Sequence, residues 1–98
     1  MGDQRSVLIV EDEEIIRKSL KEVLSGEGYE VCEAECVADA LRLARERDFD
    51  VALCDVQLPD GDGIALLRRL HQLNAHTCIL IITAYATVEN AVEAFKAG

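Results

Sequence analysis

The stretch that decides the fold is FDVALCDVQLPDGDG, Phe49–Gly63. Val51, Ala52, Leu53 and Cys54 form a short unbroken apolar run, which reads as a strand buried on both faces. The run stops on one carboxylate, Asp55. Pro59 fixes φ and bends the chain away from the strand, and Gly63 is expected to permit an unusual backbone before the next helical pattern. Strands buried on both faces belong to parallel sheets covered by helices, so the neighbouring sequence should alternate strand and helix.

It does so on both sides. Ser6–Val10 is a near-continuous apolar strand. Glu13–Gly26 then places Ile15, Ile16, Leu20, Val23 and Leu24 on one helical face, and Gly26 and Gly28 end it. Tyr29–Ala34 (YEVCEA) alternates like a strand near a sheet edge. Val37, Ala40, Leu41 and Ala44 have helical spacing, with no convincing N-cap in front of them. Phe49–Asp55 is the third strand, and Ile64, Leu66, Leu67, Leu70 and Leu73 mark the third helix. Thr77–Thr83 (TCILIIT) is the fourth strand and the most β-branched, and Val88, Ala91, Val92 and Phe95 place a fourth helix. Four β-α units predict one doubly wound α/β domain over residues 1–98, with a parallel sheet and right-handed crossovers.

Composition narrows the function. The chain has 98 residues, enough for a single small core, and a formal net charge of −9. An acidic surface argues against direct nucleic-acid binding, which needs lysine and arginine against phosphates. It suits recruitment of cations or basic partners. No apolar run approaches the roughly 18 residues of a membrane span, and no signal peptide opens the chain, so a cytoplasmic setting is expected. Gly2 and Ser6 fit the myristoylation pattern, a match short enough to arise by chance. Cys32, Cys36, Cys54 and Cys78 make no zinc-ligand pattern and read as reduced structural residues.

In open parallel sheets ligands bind beyond the carboxyl ends of the strands. The first strand ends in Glu11-Asp12 and the third in Asp55, so adjacency of these strands would bring three carboxylates together. Such a group is costly alone, and a divalent cation removes the penalty. All-oxygen ligands suit Mg²⁺. The acidic first turn argues against a dinucleotide site, and DGDG (Asp60–Gly63) lacks calcium-loop spacing. A cation beside Asp55 permits phosphoryl transfer to that carboxylate, with the Thr83 hydroxyl donating to a phosphoryl oxygen.

VLIVEDEE (Val7–Glu14), DVALCDVQLPDGDGIALL (Asp50–Leu67) and IITAYATVENAVEAFKAG (Ile81–Gly98) together resemble the receiver domain of bacterial two-component response regulators. The last stretch is most similar to receivers of the nitrogen-regulation type, which work with the alternative sigma factor. The resemblance implies a flavodoxin-like fold with strand order 2-1-3-4. It implies that Asp55 is the phosphoacceptor and Asp12 a direct Mg²⁺ ligand. Glu11 would act through a metal-bound water, and Gln57 would offer its backbone carbonyl. Thr83 becomes the switch hydroxyl, Ala84 leaves room for the phosphoryl group, and Gln57 and Tyr85 tune its lifetime. A sensor histidine kinase is the implied partner, and control of transcription the implied output.

Receivers normally continue into a fifth strand with a lysine, and then a fifth helix. This sequence stops at Gly98, and Lys96 lies in the fourth helix. An exposed fourth strand, with homodimeric, swapped or edge-paired association, is therefore expected. The chain is expected to be a switch and not an enzyme. Two alternatives stand beside it. A small Mg²⁺-dependent phosphatase with an aspartyl nucleophile would need a second acid where Gln57 stands. A phosphate-independent docking module would have no use for Asp55 and Thr83.

Overall fold

The computed structural model describes residues 5–55 and 57–81. The elements are β1 (Ser6–Val10), α1 (Glu14–Gly26), β2 (Glu30–Ala34), α2 (Val37–Glu46), β3 (Val51–Cys54), β4 (Gln57–Leu58), β5 (Gly61–Asp62), α3 (Gly63–Leu73) and β6 (Cys78–Ile81). Four strands make one parallel sheet in the order β2-β1-β3-β6, with β6 standing where the fourth strand was expected. The predicted fourth helix lies outside the described residues. No described helix is long and apolar enough to cross a membrane.

Handedness explains the layers. From β1 the chain steps to one side to form β2, then returns past β1 to form β3 and β6. A constant right-handed crossover therefore puts α1 on one face and α2 and α3 on the other. Leu8, Val10, Ala52 and Cys54 accordingly pack with Ala40, Leu41, Leu66 and Leu70 in one core. Val7 and Ile9 point to the opposite face and are also buried. β1 is thus the central strand, buried at all five positions.

One expectation about apolar patterning fails. Ile15 and Val23 are 81% and 64% exposed, and the one fully buried residue of α1 is Arg17. The helix turns Arg17, Leu20 and Leu24 towards the sheet, a spacing of i, i+3, i+7, because the arginine finds Glu33 on β2 and Glu35 just beyond it. Cys78 and Leu80 are exposed because β6 lies at the edge of the described sheet, in line with the exposed fourth strand that was expected. The other cysteines follow expectation. Cys54 is fully buried, and burial pushes its thiol up to about 12.

The glycines also sort differently. Gly28 adopts φ +94°, which only glycine takes readily, and closes α1 while Tyr29 N–H bonds to the Leu24 carbonyl at 3.1 Å. Gly63 has no such conformation; it is the buried first residue of α3. The helix start is made instead by Asp62, whose carboxylate accepts from Ile64 N–H at 2.8 Å.

Candidate functional site

The chain reverses its progress across the sheet between β1 and β3, so a crevice opens at the carboxyl ends of these two strands. The ladder fixes what stands there. Val10 is in register with Cys54, and Asp55 N–H bonds to the Val10 carbonyl at 2.9 Å. On the other side, Glu11 N–H bonds to the Ala34 carbonyl at 3.0 Å. Glu11 and Asp55 are therefore carried one residue beyond paired strands, with little freedom left to their backbones.

The result is a three-carboxylate cluster. Carboxylate oxygens of Glu11, Asp12 and Asp55 lie within 4.8 Å of one another. Glu11 is only 3% exposed, Asp55 is half-buried and Asp12 is exposed. Glu11 accepts a hydrogen bond from Glu13 N–H at 3.1 Å. Burial, aided by the Asp55 charge and by hydrogen bonds shared with Asp55 and Asp12, nevertheless pushes the Glu11 carboxyl up to about 7. Two unit charges about 4 Å apart repel by about 4 kcal/mol at an effective dielectric of about 20. Bringing the three acids together is therefore costly, and their all-oxygen donor set fits a hard divalent cation.

Arg17 braces the cluster from behind. Its Nη1 donates to the Glu11 carbonyl at 3.0 Å, while its charge goes to Glu33 at 3.1 Å and Glu35 at 3.2 Å. Lys18 and Lys21 add ion pairs to Glu33 at 3.0 and 3.2 Å. These cations outweigh burial and hold the Glu33 carboxyl below its ordinary value. Sequence reasoning missed Arg17, although its place in the i, i+3, i+7 stripe with Leu20 and Leu24 is visible.

Of the remaining candidates, Gln57 has its backbone in β4, paired with Asp62. Thr83, Ala84 and Tyr85 lie outside the described residues. Asp60 entered the sequence reading only within DGDG, which lacks calcium-loop spacing. It caps α2, accepting from Val37 N–H at 2.7 Å and Ala38 N–H at 3.1 Å. No local sequence signal reveals this, since the partners are 23 and 22 residues away.

With the parallel sheet and the three acids at its switch point in place, residues 7–98 match the model of the response regulator receiver domain. The chain belongs to that family, the phosphoacceptor module of two-component signalling. It is 44% identical over 96 residues to the transcriptional regulatory protein ZraR of Escherichia coli O157:H7, covering 98% of this chain and 22% of that relative. It is also similar to the crystal structure of a CheY-like receiver domain protein from Methanospirillum hungatei JF-1. There the TM-score is 0.93, at 36% identity, over 98% of this chain and 77% of that one. A response regulator from Burkholderia pseudomallei, solved with a phosphorylated aspartic acid, calcium ion and citrate, matches with a TM-score of 0.92. The identity is 32%, over 97% of this chain and 56% of that one. The chain spans about a fifth of the length of the curated relative.

Proposed function

We propose that Asp55 accepts a phosphoryl group from the phosphohistidine of a sensor kinase, with Mg²⁺ held by Asp12, Asp55, the Gln57 carbonyl and, through a water, Glu11. The observation that carries this reading is the convergence of the three carboxylates within 4.8 Å at the ends of β1 and β3. When bound, the cation offsets charge on the carboxylates and on the transferring phosphoryl oxygens. A carboxylate oxygen of Asp55 forms the new bond to phosphorus. The phosphorus–nitrogen bond breaks, and its electron pair leaves on the imidazole. The backbone bond from Asp55 to Val10 keeps the nucleophile at the crevice. Thr83 serves as the switch hydroxyl for the acyl phosphate, Ala84 leaves space for it, and Gln57 and Tyr85 set its lifetime.

The calcium ion and phosphorylated aspartate of the Burkholderia regulator support this assignment, and the name of ZraR supports transcriptional output. The reading makes the chain a switch without an enzymatic turnover of its own, working in the cytoplasm. The test is labelling by a small phosphodonor such as acetyl phosphate in Mg²⁺. The chain should gain one base-labile, hydroxylamine-sensitive phosphoryl group, and Asp55→Asn should gain none. Persistent labelling of Asp55→Asn would place the acceptor elsewhere.

A further inference from the structure

The β4–β5 hairpin cannot hold itself in place. Its strands have two residues each, and so small a hairpin is marginal alone. Its position is set from outside: Leu58 packs against the core, and two aspartates fix the other side. Asp62 is tied into the first turn of α3. Asp60, at the tip, reaches the other way and clamps the first two N–H groups of α2 with both carboxylate oxygens, at 2.7 and 3.1 Å. Helix α2 has no cap of its own, since Cys36 stands at the cap position and makes no side-chain bond there. Gly61 lets the two surfaces meet: a Cβ on it would sit 3.0 Å from Val37 Cγ2. Consistent with this geometry, the two N–H groups hold the Asp60 carboxyl below its ordinary value.

Across the hairpin from Asp62 is Gln57. We propose that Asp60 is a positioning residue for the cation site: by clamping α2 it holds the hairpin, and so the Gln57 carbonyl, where the cation requires it. The inference rests on the cation reading above. It makes cation binding and the order of the α2 start two sides of one equilibrium, and such coupling is reciprocal.

The test uses Mg²⁺ alone, titrated calorimetrically into the chain and its Asp60→Ala, Asp60→Asn and Asp12→Asn variants. Asp60→Ala should weaken Mg²⁺ binding by about fivefold, the factor that corresponds to losing a typical helix cap. Asp60→Asn keeps an acceptor for the helix and should recover most of the affinity. Asp12→Asn should bind none. In the unaltered chain, saturating Mg²⁺ should slow hydrogen exchange at the Val37 and Ala38 amides, and unchanged exchange overturns the coupling even where Asp60→Ala fails to fold. Native affinity in Asp60→Ala, with those amides deprotected, overturns the inference and leaves the cation site standing. Equal binding by the unaltered chain and Asp12→Asn removes the cation site, and the inference with it.

Discussion

Glu33 on β2 and Glu11 at the end of β1 are both carboxylates withdrawn from water, and Arg17 touches the neighbourhood of each. Around Glu33 the chain supplies its own cations: Arg17, Lys18 and Lys21. Around Glu11 it supplies more acid, and among the described residues neither Glu11 nor Asp12 takes part in a salt bridge. Arg17 offers Glu11 only a bond to its carbonyl. The first cluster is complete within the chain and therefore structural. The second gathers acid on acid at the crevice, and its all-oxygen donors suit a cation taken from solution.

The largest effect should come from breaking the complete cluster. Arg17→Ala leaves Glu33 without its buried partner and should cost about 3 kcal/mol or more in denaturant unfolding. A loss below about 1 kcal/mol would mean that the network is ornamental. The next test contrasts neutralisations. Without divalent cation at pH 8, Glu11→Gln removes a repulsion and should stabilise the chain, whereas Glu33→Gln should destabilise it. Each change should be on the order of 1 kcal/mol. The same sign for both would abolish the distinction.

pH should separate the clusters in opposite directions. The Glu11 carboxyl is raised to about 7 by burial and acidic neighbours. Between the unfolded carboxyl value and about 7 the folded chain binds the extra proton. The contribution of Glu11 is therefore present in acid and lost as pH rises through about 7. Glu33 is lowered, so its contribution is present above the unfolded value and lost as pH falls through its folded value. Mg²⁺ must displace the Glu11 proton at pH 6 but not at pH 8, so the rise in Tm with millimolar Mg²⁺ should be larger at pH 8. An equal rise at both would detach Glu11 from the cation. The smallest effect belongs to the rim. Lys18 and Lys21 are 54% and 46% exposed, and removing either should cost less than about 0.5 kcal/mol.

The fold was legible in the unbroken apolar runs, although only β1 is buried on both faces and Val51 and Leu53 of β3 are half-buried. Ser6–Val10 and Val51–Cys54 became β1 and β3, and the acids expected at their ends do converge. It was less legible where one face meets water. Ile15 and Val23 look like core residues in a helical pattern, but the buried position belongs to Arg17, whose partners Glu33 and Glu35 lie outside any local window. The start of α2 was obscure for the same reason. Its cap is Asp60, and no pattern within the helix records it. Periodicity reports the solvent gradient across an element, and it does not report ionic or capping contacts between distant segments.

That remote cap gives the chain a built-in order of assembly. As synthesis proceeds from the N-terminus, the residues of α2 emerge with their first amides unpaired, and they stay so until Asp60 has followed. The helix becomes a completed element only when the segment carrying Asp60 has been made and has turned back to it. Its N-terminus should therefore form late, and substitutions at Ala38 should change the unfolding rate and leave the folding rate nearly untouched.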